Sequence, residues 1–410
     1  MNPESPPAFL HPFARPAAPA SSFRTIVRGH GALVYDDAGR EYVDAMASLW
    51  YCAAGHGRTS IIDAVATQMR TLEAFHAFDM FTTVPAEELA EQVAALAPVP
   101  RSRVFLTSGG SESVETAVKL SRAAHVATGQ PQRTVVVART PSYHGVAYAG
   151  TTLTGLPANQ DGFGPLLPDV VHVGKDDLEA VERLVAQRGD QIAAIIAEPV
   201  VGAAGVYPPA PGYLAGLRAL ADQAGAHLIL DEVITGFGRL GTWFAAEHYG
   251  VLPDTITFAK AITSGYLPLG GVVVAPRVHE ALAWDPGYVL RHGYTYSGHP
   301  TAAAAALANL ALLREEGLVA RAPVVGRRLS DGLRELMTEG LLAEVRGDGA
   351  VWAAGLPPGV DPAVVRDRML EHGVIIRPIA PSTVAYCPPL VITDSQIDRV
   401  VAATREALSG

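Results

Sequence analysis

The sequence predicts an α/β protein in which a mainly parallel sheet carries helices on both faces, together with a smaller α+β domain. Three observations support this fold class. Apolar residues make up 49% of the 410 residues and charged residues 18%, which is typical of a compact globular chain. Helical and strand-like segments alternate from about residue 60 to residue 260, the pattern that builds parallel sheets. The chain is roughly two to three times as long as a usual domain, so two domains are expected.

The predicted strands of the large sheet are short apolar runs that end in small or turn-forming residues. They cover residues 103–106, 134–138, 192–197, 227–230 and 255–259. Apolar residues at helical spacing predict helices over residues 61–72, 86–97, 112–127 and 213–224. Pro211 precedes the last of these helices and Gly225 follows it, as expected of helix ends.

The pattern changes to α+β after an Ala-rich helix at residues 301–313. A helix at 324–337 follows Pro323, and then come a strand–turn–strand unit at 343–356, a helix at 363–372, a strand at 374–377 and a last helix from Ser395. Near the N-terminus, residues 32–42 predict a hairpin that turns at Asp36 and Asp37. We therefore expect a large domain over residues 53–299 and a small domain formed by residues 1–52 and 300–410.

Charge and cysteine usage exclude several classes of function. Lys and Arg number 31 against 41 Asp and Glu, and the resulting net charge of −10 argues against nucleic acid or an anionic membrane as the main partner. Cys52 and Cys387 lie far apart and outside any metal-ligand spacing, so neither a disulfide framework nor a metal site is predicted, and a reducing, cytoplasmic setting is expected.

No membrane or export signal is predicted in this chain. It contains no uninterrupted apolar run of about 18 residues, the length that a membrane-spanning helix requires. Residues 1–22 are rich in Pro, Ala and Ser, and they lack the basic start and apolar stretch of a signal peptide. We expect this segment to be an irregular arm.

Polar residues follow four of the predicted strands, where ligands bind in open α/β sheets. Residues 107–112, TSGGSE, open a helix and could hold a phosphate on backbone amides. Asp231 and Lys260 each follow a strand directly, and Tyr143 and His144 lie beside Gly145. Taken singly, each end has a simpler explanation: a helix cap, a solvated lysine or a structural histidine.

Taken together, a phosphate cradle, a carboxylate, an amine and an aromatic ring match the requirements of pyridoxal 5'-phosphate (PLP). Lys260 would bond to the cofactor aldehyde and, once released by substrate, would act as general acid and base. Asp231 would pair with the protonated ring nitrogen and keep the ring an electron sink. Tyr143 would stack on the pyridine ring.

Seven motifs resemble those of the class III aminotransferases. They are SGGSESVETA at 108–117, YHG at 143–145, EP at 198–199, LDEVITGFGR at 230–239, AKA at 259–261, LGG at 269–271 and TYSGHP at 295–300. The motifs occur in order, and the resemblance extends from about residue 40 to the C-terminus. It implies a fold-type I, PLP-dependent homodimer with its active sites at the subunit interface and with the pyridoxamine form of the cofactor (PMP) as an intermediate.

The resemblance also implies roles for individual residues. Gly110 and Ser111 bind the cofactor phosphate, and Val233 packs on the ring face opposite Tyr143. Thr295 reaches the phosphate of the neighbouring subunit. Two further residues have supporting roles in the cofactor site, and these are Glu198, expected near Asp231, and His144.

Within the family, the sequence is most similar to the β-alanine:pyruvate and amine:pyruvate aminotransferases, or ω-transaminases. SLWY at 48–51 and GHGR at 55–58 resemble their substrate pocket, which assigns Trp50 to substrate binding, although Trp50 could instead be a core residue. IIRP at 375–378, followed by PPL at 388–390, places Arg377 where this group grips a substrate carboxylate. Residues 200–205, VVGAAG, lack the glutamate that pairs with this arginine in ornithine- and GABA-type relatives.

The sequence leaves two alternatives to an aminotransferase that moves an amino group from an amine or ω-amino acid to a keto acid. A racemase or aminomutase of the same family would use Lys260 and Asp231 and return the amino group to the substrate. A non-catalytic PLP-binding protein would not need to retain these residues. A nicotinamide dehydrogenase is not indicated, since no G-x-G-x-x-G motif follows the first strand of the sheet.

Overall fold

Fifteen strands form three separate sheets in the computed structural model, which describes residues 4–409. Residues 1–3 and Gly410, which belong to the predicted small domain, lie outside the described residues. The strands are β1 Ile26–His30, β2 Leu33–Asp36, β3 Glu41–Asp44, β4 Arg103–Thr107, β5 Val135–Thr140, β6 Val170–Gly174, β7 Ile192–Ala197, β8 His227–Asp231, β9 Thr255–Phe258, β10 Gly270–Val274, β11 Glu344–Asp348, β12 Val351–Gly355, β13 Val374–Ile375, β14 Arg377–Ile379 and β15 Thr383–Tyr386.

Thirteen α-helical segments connect and flank these strands within the described chain. They are α1 Ala47–Trp50, α2 Thr59–Thr71, α3 Val84–Leu96, α4 Gly110–Ala127, α5 Tyr148–Leu153, α6 Leu178–Arg188, α7 Tyr213–Ala224, α8 Ala245–His248, α9 Pro276–Leu282, α10 Pro300–Glu315, α11 Leu318–Thr338, α12 Pro362–Glu371 and α13 Asp394–Ser409. The arm from residue 4 to residue 25 is irregular apart from a 3-10 turn at Ala20–Ser22.

The central sheet has seven strands in the order β4-β10-β9-β8-β7-β5-β6. Strands β5 to β9 pair in parallel, whereas β10 runs antiparallel to both of its neighbours. The prediction of a mainly parallel sheet is thus confirmed. Strand β10 was not predicted because it begins with Gly270 and Gly271. These glycines are needed for close packing, since a Cβ atom on Gly270 would lie 2.8 Å from the Ser113 hydroxyl oxygen.

Helices cover both faces of this sheet, and alternate strand residues point to opposite sides. Ile196 and Ile229 pack in the apolar cluster that contains α4, whereas Ile195 and Leu228 pack in the cluster that contains α7. Each buried strand therefore reads as a continuous apolar run. Because helices cover both faces of the sheet, only the ends of its strands remain open.

The other two sheets combine residues from both ends of the chain. Strand β13 pairs in parallel with β3, while β14 and β15 complete an antiparallel sheet with β11 and β12. The single strand predicted at 374–377 is therefore divided between two sheets, and Arg377 begins β14. Helix α11 begins at Leu318 rather than at residue 324, so Pro323 lies inside the helix, where it removes one backbone hydrogen-bond donor.

Helix α10 packs against α2 and α3, and Asn309 interrupts its run of Ala and Leu. Between residues 4 and 409, none of the helices is long and apolar enough to span a lipid bilayer.

Candidate active site

A cavity of about 190 Å³ opens beyond the carboxyl ends of β8 and β9. It brings together residues that the sequence analysis singled out from distant parts of the chain. Its lining consists of Gly110, Ser111, Val114, Tyr143, His144, Gly145, Glu198, Asp231, Val233, Ile234 and Lys260. All the predicted site residues except Thr295, Trp50 and Arg377 are in this set.

The N-terminus of α4 forms one wall of the cavity. Gly110 allows the helix to approach closely, because a Cβ atom there would lie 2.9 Å from a methyl carbon of Val233. The Ser111 hydroxyl accepts a hydrogen bond of 3.0 Å from the Val146 amide. Gly145 has φ +100°, and a Cβ atom at this position would lie 2.5 Å from the Ser111 oxygen. Small residues and helix N-terminal amides give this wall the character of an anion-binding site.

Asp231 ends β8 and is 5% exposed. Its Oδ2 atom lies 2.7 Å from Nδ1 of His144, and its Oδ1 atom accepts hydrogen bonds from the Thr257 hydroxyl at 3.0 Å and the Val233 amide at 3.2 Å. His144 is 2% exposed, and its Nε2 atom has no hydrogen-bond partner among the described residues. The carboxylate is therefore held in one orientation at the edge of the sheet.

Glu198 anchors the loop that carries Tyr143. One carboxylate oxygen accepts from the Tyr143 amide at 2.9 Å, and the other accepts from the Gly202 amide at 2.8 Å. Burial is the main cause that raises the pKa of Glu198, and His144 and the two amides act in the opposite direction. Glu198 therefore fixes the backbone on which the Tyr143 ring is mounted.

Lys260 follows β9 and begins a 3-10 turn at Lys260–Ile262 with a left-handed backbone, φ +50°. Burial lowers the pKa of its amine, while Asp231 and Glu198 act in the opposite direction. Within the described part of the chain, its Nζ atom makes no ion pair or hydrogen bond. A half-buried amine without a fixed partner, whose pKa is lowered by desolvation, can serve as a nucleophile and can exchange protons near neutral pH.

Arg377 lies close enough to the cavity for its charge to act on the Tyr143 phenol. Burial raises the pKa of Tyr143, and the guanidinium lowers it. Arg377 is itself exposed at the start of β14, and partial desolvation by the surrounding protein is the main cause that lowers its pKa. Between residues 4 and 409, no carboxylate lies within ion-pair distance of Arg377, in keeping with the lack of an acidic residue at 200–205.

Thr295 and Trp50 lie outside the cavity lining. Thr295 is exposed on the loop between α9 and α10. Trp50 is 3% exposed, has φ +69° and belongs to the apolar cluster that also contains Ile234 of the cavity wall. A direct contact of Trp50 with substrate therefore stays a prediction.

The sequence did not predict a role for Val114 and Ile234, which line the cavity, or for Thr257, which lies behind Asp231. Thr257 bonds Asp231 because the register of β8 and β9 sets these two residues side by side. Ile234, three residues after Asp231, adds an apolar wall. Thr257 is identified only by the pairing of the ends of β8 and β9. That pairing is known only once the order of the strands in the sheet is known.

The family model for aminotransferase class-III matches residues 16–408. A β-alanine–pyruvate aminotransferase of Pseudomonas aeruginosa is 36% identical over 418 residues, which cover 94% of this chain and 92% of the relative. An acetylornithine aminotransferase of Mycobacterium tuberculosis is 40% identical over 380 residues, which cover 92% and 90%.

Solved structures agree with these relationships. The ω-transaminase of Pseudomonas jessenii in complex with PMP has a TM-score of 0.92 and 34% identity, with 98% of this chain and 96% of the other covered. This chain belongs to the class III aminotransferases and is a PLP-dependent aminotransferase.

Proposed function

We propose that this enzyme transfers an amino group from an amine or an ω-amino acid to a keto acid such as pyruvate by a ping-pong mechanism. The observation that carries this proposal is the position of Arg377 near Tyr143, without a carboxylate partner in the described chain. An unpaired guanidinium can bind a substrate carboxylate and can turn away from an apolar amine. Pyruvate and β-alanine each carry such a carboxylate. The β-alanine–pyruvate enzyme among the relatives supports the same substrate class.

The residues that line the cavity fit PLP in their donor set. The close contacts at Gly110 and Gly145 keep a small-residue cradle open, and the Lys260 amine and the Asp231 carboxylate face the same space. We assign the phosphate to Gly110 and Ser111. When bound, PLP supplies an electron sink for the bonds of the substrate carbon that carries the amino group.

Two residues are assigned to the reaction itself. Lys260 holds the cofactor and then moves the proton at the reacting carbon, a task favoured by the burial that lowers its pKa. Asp231 binds the ring nitrogen and keeps it protonated. Its Oδ1 atom already accepts two hydrogen bonds, whereas Oδ2 has only His144 as a partner and can accept one more, because a carboxylate oxygen can accept two.

Four other residues position the cofactor. Tyr143 covers one ring face and Val233 the other. Glu198 holds the Tyr143 backbone through its amide, and His144 orients Asp231 through the 2.7 Å contact. With these assignments, every residue that the family motifs predict at the cofactor, other than Thr295, has a proposed role. Trp50 is assigned to the substrate side, behind Ile234.

A second copy of the chain would complete the site. Thr295 is exposed and does not reach the cavity of its own chain, as expected of a residue that serves the partner. Large exposed apolar patches mark protein interfaces. Exposed apolar side chains occur next to Thr295 in sequence and along residues 75–81, where the Phe78 ring lies close to Gly293. They are Phe75, Phe78, Met80, Phe81 and Tyr296. We infer a homodimer in which Thr295 binds the phosphate of the neighbouring site.

The cysteines support a reducing, cytoplasmic location for the enzyme. Cys52 and Cys387 are both free and buried. Burial raises the pKa of each thiol, which keeps the thiol protonated and unreactive.

Borohydride reduction of the purified enzyme tests the cofactor assignment. The mass of the reduced cofactor should appear on the peptide that contains Lys260, and attachment at Lys119 or Lys175 would contradict the assignment. A panel of amine donors with pyruvate and 2-oxoglutarate then tests the substrates. Stoichiometric formation of alanine from pyruvate supports transamination, whereas return of the amino group to the donor would indicate a racemase or aminomutase.

A further inference from the structure

Asn309 is a fully buried polar residue in an otherwise apolar helix. It is 0% exposed, and its neighbours in α10 are almost all Ala and Leu. A buried amide is costly unless each of its polar atoms is hydrogen-bonded. An alanine would suit this helix better by intrinsic propensity. The position of Asn309 therefore requires a reason beyond packing.

The side chain of Asn309 bonds to the turn that begins at Lys260. Its Nδ2 atom donates to the carbonyls of Ala261 and Ile262, each at 2.9 Å. Its Oδ1 atom accepts from the Ser264 hydroxyl at 2.7 Å. Ser264 Oγ in turn accepts from the Ala54 amide at 3.0 Å. One side chain thus makes three hydrogen bonds to the four residues that follow Lys260.

The backbone of this turn needs such support. Lys260 has φ +50° and Ser264 has φ +49°, so two residues with side chains adopt the left-handed region within five positions. Each such residue costs free energy that its surroundings must offset. The carbonyls of Ala261 and Ile262 point into the protein, where water cannot reach them as an alternative partner.

We propose that Asn309 is a positioning residue that holds the turn of Lys260 and thereby sets where the Lys260 amine lies in the cavity. Asn309 does not itself line the cavity, so it acts only through the backbone of residues 261–264. The charges of Asp231 on β8, Glu198 after β7 and Cys387 after β15 act on the amine, and Tyr143 and His144 line the same cavity. Movement of the turn would change the distance of the amine from these groups. This inference rests on the proposed attachment of the cofactor to Lys260.

The test compares the holoenzyme with Asn309→Ala. The pH midpoint of the absorption change of the bound cofactor reports on the surroundings of the Lys260 nitrogen. A looser turn lets this nitrogen approach water, so the midpoint should rise by roughly half to one pH unit, the shift that corresponds to one lost hydrogen bond. Amide hydrogen exchange of the peptide that contains residues 260–266 should become faster in the same variant.

Two further variants make the result decisive. Ser264→Ala removes one of the three bonds of Asn309, together with the bond from the Ala54 amide, and leaves the two bonds to the carbonyls in place. It should shift the midpoint in the same direction by a smaller amount, so it tests the inference even if Asn309→Ala fails to fold. Leu313→Ala creates a defect at an equally buried position of α10 and should lower the thermal stability without moving the midpoint.

An Asn309→Ala enzyme that loses stability but keeps the wild-type midpoint and exchange rate would show that Asn309 is only structural. So would a shift of equal size in Leu313→Ala. Borohydride labelling of each sample reports separately whether the cofactor is attached to Lys260. A failure of the cofactor assignment is therefore distinguishable from a failure of the positioning role.

Discussion

The Nδ1 atom of His144 lies 2.7 Å from the Oδ2 atom of Asp231, and both side chains are almost completely buried. On the other side of the carboxylate, Thr257 donates to Oδ1. The two partners come from different parts of the sheet edge, the loop after β5 and strand β9. Between them they leave Asp231 little freedom to rotate, which suits the proposed pairing of this carboxylate with one nitrogen of a bound ring.

Asp231→Asn tests the proposed pairing. The amide keeps the shape of the side chain but removes the negative charge, so proton abstraction from the substrate should slow by roughly 10²–10³-fold. Substrate binding should change far less, because the substrate does not contact this side chain. Single-turnover measurements of each half-reaction separate the two quantities. Equal losses in binding and in proton abstraction would argue against the assignment, and Thr257→Val, which keeps the charge, should show only a small effect.

Arg377→Ala should affect substrates according to their charge. Removal of a charge-assisted bond of roughly 1.5–3 kcal/mol should weaken the half-reactions of pyruvate and β-alanine by roughly 10- to 150-fold. The half-reaction of 1-phenylethylamine, which has no carboxylate, should change little. Arg366→Ala is a matched control, since it removes a neighbouring positive charge that acts on Arg377. A similar slowing of the apolar amine and of pyruvate would mean that Arg377 is structural.

Subunit mixing tests the position of Thr295. Lys260→Ala and Thr295→Leu should each be inactive alone, but a heterodimer would contain one site with both groups intact. Random exchange in a two-fold dimer should therefore restore up to about one quarter of the wild-type activity. Mass spectrometry verifies that the subunits have exchanged. Absence of recovery in a verified mixture would place Thr295 in the site of its own chain.

Acid sensitivity is expected from a buried pair of histidines. The rings of His125 and His227 stack with centroids 4.3 Å apart, and burial, more than any other cause, lowers the pKa of His227 to about 2. In the unfolded chain this histidine takes up a proton as the pH falls below about 6.5, and in the folded chain it does not. The free energy of unfolding should therefore fall with decreasing pH, by about 2 kcal/mol between pH 7 and pH 5 from His227 alone.

His227→Phe keeps an aromatic ring and removes the titrating group, so it should flatten this dependence. Denaturant unfolding at pH 7 and pH 5 measures the change. His30→Phe, at an exposed position, should retain the wild-type slope. Equal slopes for wild type and His227→Phe would show that acid sensitivity arises elsewhere.

Much of the central sheet could be predicted from the sequence, because its buried parallel strands read as apolar runs. The bounds predicted for β7 and α7 agree with the structure at both ends. Strand β10 was missed because its two leading glycines have low strand propensity, and their purpose is visible only in the packing against Ser113 and Phe258. Strand β6, at the edge of the sheet and only partly buried, carries a weak apolar signal.

The residues around Asp231 and Lys260 could be recognised from their positions after strands and from family motifs. Thr257 and Asn309 could not, since their function depends on which strands and helices are neighbours. Thr257 reads as an ordinary strand residue, and Asn309 reads as an interruption of an apolar helix. Both become meaningful only when the chain brings together residues separated by 26 and 48 positions.

The pairing of β3 with β13 has a consequence for biosynthesis. Val43 can form this pair only after Val374 has been synthesised. The ribosome adds Val374 about 330 residues later, which takes some 15–65 s at usual rates of roughly 5–20 residues per second. The same late segment closes onto the N-terminal loop, where the Cys387 amide donates to the Ala45 carbonyl and the Leu390 amide to the Ala53 carbonyl. The central sheet can form during this interval. Arg377 and the loop that carries Trp50 can reach their final positions only when the interval ends. With the proposed assignments, the residues of the cofactor cradle would therefore fold first and those that select the substrate would be placed last.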